Sequence, residues 1–433
     1  MSPFAFLHLN EHRTIPLRDE TERRMFTNAH DRFATACGLA LQGLGLVPFS
    51  VDMLPQKKQG FFERMKNAFS RKRPVAAWRM DIGNSCMKAV KVILDADGVP
   101  VVEHCYLCHY HFDSVKSSEE SSVNNFETKI VEALAEPMNP FQRDEPSVRM
   151  ELDVPTKRKL AVQGFLHKYE YQGEVIGVGY PSQDLICANV AIPADTPQIA
   201  ETAIPFEFKH HLPYEEDRFL PNYIFLGSVD ENDDVTKQCF HLFSTKILAM
   251  QDTLDLLGEH GIVPDMMTTN HLANLNYATF LLMSPPVVPT PEEQAAVEEK
   301  EFEPPDVESI LICDMGASGM DLIFYDLREL SHFYIPIGGD RFTQEIATSL
   351  QIPWPRAEGY KRDPLASGHG QEIVESLKPL VKKLANEITL RLERFRKGGG
   401  KLDKVIVLGG GFQLRGFAAY FRSVLEMLWK QNK

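Results

Sequence analysis

Three glycine-containing stretches hold residue types that can do chemistry together. They are Arg79-Met-Asp-Ile-Gly-Asn-Ser-Cys-Met-Lys88, Ile312-Cys-Asp-Met-Gly-Ala-Ser-Gly319 and Val405-Ile-Val-Leu-Gly-Gly-Gly-Phe412. The first two share one plan: an apolar run reaching Asp, one apolar residue, Gly, small polar residues, then a second apolar run. An Asp at a strand end can hold a hydrated divalent cation, and the glycine after it lets backbone N–H groups approach a phosphate. Asp81 and Asp314 lie 233 residues apart, a domain-scale separation. Two such hairpins from two half-molecules would clamp a polyphosphate between them. The third turn, at the head of a helix, would let a flat base rest on bare backbone that a Cβ would obstruct. A lone Asp-x-Gly is a common strand end, so the weight falls on the pair plus the later triple glycine.

The elements that must position these residues follow from periodicity. Residues 76–82, 87–94 and 101–112 read as strands, the last two joined through Asp95-Ala-Asp-Gly98. A Ser- and Glu-rich loop over 113–126 follows. Strands at 175–180 and 185–192 precede a helical stretch at 196–211, which Pro205 should break. Further strands fall at 222–229 and 237–244, with a helix at 246–260. Pro285, Pro286, Pro289 and Pro291 with the acidic run after them mark 284–308 as a solvated linker. Beyond it come strands at 309–313 and 321–325, helices at 341–350 and 371–397, a buried strand at 404–408 and a closing helix at 414–429. The long helix keeps Ile373, Leu377, Leu380, Val381 and Leu384 on one face.

The N-terminal region is less regular. Residues 1–55 show weak periodicity and no motif, so they read as an appendage ahead of Met53. Residues 57–73 are basic (Lys57, Lys58, Arg64, Lys66, Arg71, Lys72, Arg73) and interleaved with Phe61, Phe62, Met65 and Phe69. Such a helix either lies on an anionic membrane surface or forms a solvated leader.

Composition bounds the answer. The 433 residues carry a formal charge of −14, which argues against wholesale nucleic-acid binding. No run approaches the ~18 apolar residues of a membrane span, and the first 30 residues lack the apolar core of a secretory signal. Seven cysteines make no disulfide framework in a chain this long, so a reducing cytoplasm fits. Cys105-x-x-Cys108, near His104, His109 and His111, reads as strand core rather than a zinc knuckle. Residues three apart on a strand face opposite sides, and no second CxxC exists. Cys86 is the thiol whose modification would block the first turn.

In order and type, the three turns resemble those of the actin/heat-shock-chaperone/sugar-kinase ATPase superfamily. Within it the chain is most similar to the PilM family of type IV pilus assembly, itself similar to the cell-division protein FtsA. The resemblance runs from about residue 60 to the end. It includes Val178-Gly-Tyr-Pro181, Val190-Ala-Ile-Pro193, Glu259-His-Gly-Ile-Val263, Ile337-Gly-Gly-Asp340, Ala357-Glu358 with Lys361, and the glycine turn at 409–416. It implies an α/β, duplicated RNase H-like, two-lobed fold with an inserted FtsA-like α+β subdomain. The first ATPase subdomain would be 74–173 with 264–283, the insertion 174–263 and the second lobe 309–433, with 1–73 an extension.

The resemblance also implies ATP in the cleft, with phosphate contacts from Gly83, Asn84, Ser85, Lys88, Gly316, Ala317 and Ser318. Asp81 and Asp314 would hold Mg2+, Glu358 and Lys361 would face ribose and base, and Gly409, Gly410 and Gly411 would lie beneath adenine. The implied partner is the cytoplasmic N-terminal peptide of the inner-membrane protein PilN, which places the chain in the cytoplasm at the inner membrane. Self-association is compatible with such a fold. Two departures bear on chemistry. Ser318-Gly-Met-Asp321 stands where the family has threonines, and Thr268-Thr-Asn270 where it has Asp-Val-Glu. Fewer carboxylates to activate water imply nucleotide binding with slow or absent hydrolysis. The competing readings are a small-molecule kinase of the same superfamily and an FtsA-like filament former.

Overall fold

The computed structural model describes residues 5–7, 15, 22, 26, 30–54, 76–96, 98–110, 153–171, 174–212, 218–230, 236–282, 309–326, 328–393 and 402–431. The basic segment 57–73, the loop at 113–126 and the linker at 284–308 lie outside them.

The N-terminal region is not an appendage. It supplies β1 (Ala5–Leu7) and α1 (Ala34–Gly43), and every α1 residue before Gly43 is buried. A helix apolar all round belongs inside a core and leaves no amphipathic signal in its sequence. Small residues let α1 press against its neighbours: a Cβ on Gly38 would stand 1.8 Å from the Ala273 carbonyl oxygen. Downstream, the Met53 N–H donates to the Met267 carbonyl at 2.8 Å. The Asn276 side chain donates to the Phe49 carbonyl at 2.7 Å.

The first lobe follows. β2 (Ala76–Ile82), β3 (Cys86–Leu94) and β4 (Pro100–His109) form an antiparallel meander. Cys105 and Cys108 are buried in β4, as expected of core residues. α2 (Val154–Lys168) starts where the Asp153 carboxylate accepts the Thr156 N–H at 2.8 Å, with proline in the first turn. β5 (Ile176–Tyr180) returns parallel to β2, so this strand belongs to the first lobe's sheet and not to the insertion that was expected to start at 174.

The insertion is β6 (Ile186–Pro193), α3 (Pro197–Glu201), α4 (Ile204–His211), β7 (Phe219–Asp230) and β8 (Thr236–Lys246), with sheet order β6-β8-β7. The expected helix over 196–211 is two helices. Pro205 sits in the first turn of α4, where its missing N–H costs nothing. α5 (Ile247–Gly258) ends in a left-handed turn at Gly261, φ +72°. β9 (Met266–Thr269) then rejoins the first sheet beside β5, and α6 (Asn270–Leu282) is almost wholly buried.

The second lobe comprises β10 (Ser309–Met315), β11 (Met320–Asp326), β12 (Leu330–Ile335), α7 (Gly339–Leu350), α8 (Trp354–Arg362), α9 (Gly370–Arg391), β13 (Lys404–Leu408) and α10 (Phe417–Gln431). β10 runs two residues past the expected end, so Asp314 lies in the strand rather than the turn. Alternation along β10 divides its side chains. Ile310 and Ile312 join the core shared with the first lobe, whereas Leu311 and Cys313 pack with α9 and α10.

The two large sheets repeat one plan, β4-β3-β2-β5-β9 and β12-β11-β10-β13-β1. Each is an antiparallel meander extended by parallel strands beside its first member. In the second lobe the fifth place is taken by β1, from the start of the chain, paired parallel to β13. The N-terminal segment thus contributes to both lobes.

Gly38→Ala should cost about 1–3 kcal/mol by overpacking the α1–α6 contact. Gly258→Ala, whose Cβ meets nothing within 4 Å, should not lower stability. Thermal unfolding of the two variants checks this. Equal midpoints would show that α1 is not docked.

Candidate functional site

β2 and β10 end side by side. A cleft of about 450 Å³ opens between the lobes, and all fourteen residues singled out from the sequence line it: Asp81, Gly83, Asn84, Ser85, Lys88, Asp314, Gly316, Ala317, Ser318, Glu358, Lys361, Gly409, Gly410 and Gly411. Their gathering is geometry; their roles toward a ligand are taken up below.

The two hairpin tips are built alike. The Gly83 N–H donates to the Cys86 carbonyl at 3.1 Å, and the Gly316 N–H to the Gly319 carbonyl at 2.9 Å. The tips meet across the cleft, where the Asn84 amide donates to the Ser318 hydroxyl at 3.0 Å. The Tyr334 hydroxyl also donates to Ser318, at 3.1 Å. Arg158 on α2 steadies the first tip through the Gly83 carbonyl at 3.1 Å and the Asn84 side-chain oxygen at 2.6 Å. The second tip rests on the glycine pair at the head of α7. Gly339 and Asp340 donate backbone N–H groups to the Gly316 and Ala317 carbonyls at 3.0 and 2.9 Å, and a Cβ on Gly338 would stand 2.4 Å from the Ala317 oxygen.

Register sets the charges. Asp81 lies opposite Lys88 in the first meander, and Asp314 lies opposite Asp321 in the second. Lys88 forms an ion pair with Asp81. Burial alone would lower the Lys88 pKa, but Asp81 overcomes this and holds the ammonium charged. Asp314 has an acid where Asp81 has a lysine. Burial, with Asp321 next in weight, pushes its carboxyl up to about 7 against the opposing pull of Lys88 and Asn274. Asp321, whose direction strand alternation left open, lines the cleft and pairs with His332 at 2.7 Å.

α6 tends both acids from one face. Asn270 donates to Asp81 at 3.4 Å, and Asn274, one turn on, donates to Asp314 at 2.7 Å. The Asn274 oxygen accepts from Thr35 of α1 at 2.9 Å, so a buried relay runs from the N-terminal helix to the second lobe's acid. Here the amides donate to the carboxylates, a job that Asp or Glu could not do.

The glycine turn differs in its reason from the sequence expectation. Gly409 has φ +86°, and its Cβ would stand 2.4 Å from the Asp314 carboxylate; a Cβ on Gly411 would stand 2.2 Å from the Met315 sulfur. These two are glycine because the turn lies on β10, whatever binds. Gly410 faces Arg32 instead, with its Cβ position 3.2 Å from Nε. Glu358 and Lys361 pair with each other at 2.6 Å, and Glu358 also pairs with Arg362 at 3.2 Å. Burial would raise the Glu358 pKa, yet Lys361, the Thr343 hydroxyl and Arg362 bring it down to about 2.

Sequence reasoning missed Arg32, Thr35, Arg158, Asn274 and Tyr334. Asn270-x-x-x-Asn274 was a readable signal, since that spacing puts two amides on one helix face. Among the described residues no three His, Cys, Asp or Glu side chains are arranged to hold a metal ion by themselves. Asp81 and Asp314 nonetheless fit Mg2+, which keeps several waters and is usually bound by one or two carboxylates together with phosphates.

No protein-family model and no curated protein matches the sequence. Solved structures do match in shape. The PilM–PilN type IV pilus biogenesis complex is similar at a TM-score of 0.51 with 18% identity, over 81% of this chain and 85% of that one. An archaeal actin homologue, Ta0583, matches at 0.33 with 11% identity over 82% of this chain and 99% of that one. The ethanolamine utilisation protein EutJ from Carboxydothermus hydrogenoformans matches at 0.37 with 12% identity, over 81% and 82%. The fold is the two-lobed α/β fold of actin-like ATPases.

Because the Asp314 carboxyl titrates near 7, it must lose its proton to take a cation, so divalent-cation affinity should rise with pH between 6 and 8. Calorimetry with a divalent cation alone, in buffers of different ionisation enthalpy, should find more proton release at pH 6 than at pH 8. Asp314→Asn should abolish that difference, and proton release independent of pH would contradict the assignment.

Proposed function

We propose that the chain is a nucleotide-binding scaffold that takes Mg2+–ATP between its lobes. The observation that carries this reading is the meeting of the two hairpin tips, Asn84 to Ser318 at 3.0 Å, with Asp81 and Asp314 side by side beneath them. Gly83, Asn84, Ser85 and Lys88 from one lobe, and Gly316, Ala317 and Ser318 from the other, would receive the phosphates. Asp81 and Asp314 would face the cation, which neutralises phosphate charge when bound. The charge balance is compatible with a cation-dependent ligand. The cleft's acids (Asp31, Asp81, Asp314, Asp321, Asp340, Glu358) and bases (Arg32, Lys88, Arg158, Lys361, Arg362) nearly cancel, so the cleft offers a bare polyanion no strong positive field. Glu358 and Lys361 would bound the ribose and base end, near Gly410.

Hydrolysis is proposed to be slow or absent. Asn270 and Asn274 stand on α6 near the acids, and an amide cannot take a proton from water. At those two positions α6 therefore offers no carboxylate base of the kind a kinase needs beside its acceptor hydroxyl.

The second half of the proposal concerns a partner. The PilM–PilN complex is named for an assembly in pilus biogenesis. By analogy this chain would act at the cytoplasmic face of an inner membrane. It would receive the N-terminal peptide of a PilN-like membrane protein between the insertion and the first lobe. Exposed Ile199, Phe206, Tyr223 and Phe225 on the insertion are apolar surface suited to such contact. No helix among the described residues is long and apolar enough to cross a membrane.

Wild type should bind ATP only with Mg2+, while Asp314→Ala and Gly410→Val should lose at least tenfold in affinity. Equal affinity in all three would remove support for the cleft. Steady ATP turnover that Asp81→Ala abolishes would refute slow hydrolysis. In thermal shift, an extended apolar peptide should stabilise the protein and small sugars or acids should not; the reverse result would favour the kinase.

A further inference from the structure

Among the described residues, the cations lining the cleft each have a partner acid or hydrogen-bond acceptor in its walls, Arg32 least completely. Lys88 pairs with Asp81, and Lys361 and Arg362 pair with Glu358. Arg158 is spent on the first hairpin tip. Arg32 contacts the His109 Nε2 through Nη1 at 2.9 Å, and its Nε is buried with no hydrogen-bond partner among the described residues. Arginine can only donate, so His109 Nε2 must accept, and this imidazole is neutral with its proton on Nδ1. A neutral ring does not offset a guanidinium charge taken largely out of water. Burial also outweighs the attraction of Glu358 and Asp31, neither of which hydrogen-bonds the guanidinium. With Nη1 engaged and Nε buried against Gly410, Nη2 is the guanidinium nitrogen left to meet an oxyanion.

Arg32 is also held in place at the lobe junction. The residue before it, Asp31, accepts the Gly409 N–H on its carbonyl at 3.1 Å, tying this turn to the second lobe. The helix after it, α1, is buried in the first lobe's core. His109 faces Cys86 across the β3–β4 register, beside the first hairpin, and Gly410 lies against the Arg32 Nε. The guanidinium therefore stands between the first hairpin and the glycine turn. A ligand spanning the cleft from the hairpin tips to Gly410 passes it.

We propose that Arg32 binds a phosphate oxygen of the nucleoside polyphosphate in the cleft, which makes the N-terminal segment part of the binding site. This rests on the nucleotide reading above and adds to it a residue from outside the hairpins and the glycine turn.

The test is calorimetric titration of the full chain with ATP, ADP and adenosine in the presence of Mg2+, for wild type, Arg32→Ala and Arg32→Lys. Arg32→Ala should weaken ATP and ADP at least tenfold and leave adenosine unchanged. Arg32→Lys, which keeps the charge but not the planar fork, should recover part of the loss. Wild-type affinity for ATP in both variants would overturn the Arg32 assignment and leave the cleft reading standing. Equal loss for adenosine would show a structural role and overturn it too. If Arg32→Ala does not fold, Arg32→Lys carries the same readout, with undiminished ATP binding as the overturning result. Failure of wild type to bind any of the three would overturn the nucleotide reading itself, and this assignment with it.

Discussion

Two aspartates from different lobes share one crevice, and the rest of the site is arranged around the cost of that. Like charges brought together out of water must be neutralised, protonated or hydrogen-bonded. Asp81 is answered by Lys88 across its hairpin and Asp314 by Asn274 from α6. The same register position that holds Lys88 in the first meander holds Asp321 in the second. The duplication is therefore symmetric in backbone and asymmetric in charge. The first lobe's acid is paired and the second lobe's is left with a carboxyl that titrates near neutrality. A cleft of this kind favours whatever brings positive charge to Asp314.

α6 and α1 make that arrangement rigid. α6 lies between the sheets and reaches both acids with amides one turn apart, while Thr35 of α1 fixes the amide that serves Asp314. α1 comes close enough to do so because Gly38 lets it approach the α6 backbone. The start of the chain is thus built into the site from two directions, as β1 on the second sheet and as α1 under the first.

What the sequence made legible was local and periodic. The Asp-x-Gly hairpins could be read because a strand, a tight turn and a second strand leave their pattern within ten residues. Their meeting followed from the repetition at domain scale. The long α9 and closing α10 showed amphipathic faces and were found, with α9 ending six residues before the expected 397 and α10 starting three residues after the expected 414. α1 was illegible for the opposite reason. A helix buried on all sides has no polar face, and the signal that identifies helices is the contrast between faces. β1 has three residues and takes its place only through pairing with β13, nearly four hundred residues away in sequence. The glycine turn was visible in the sequence, but the packing on β10 that by itself requires glycine at two of its positions was not. All three line the cleft, but Gly409 and Gly411 are denied side chains by β10, whereas the Gly410 Cβ position meets Arg32. Arg32 offered no pattern at all, because its significance comes from which other cations are already paired.

The most direct test of the central claim is a crystal structure with a non-hydrolysable ATP analogue and Mn2+, read by anomalous scattering. The account predicts one manganese peak between the Asp81 and Asp314 side chains, with the phosphates spanning Gly83 and Gly316. A peak elsewhere, or a nucleotide bound outside the crevice between those two glycines, would contradict it.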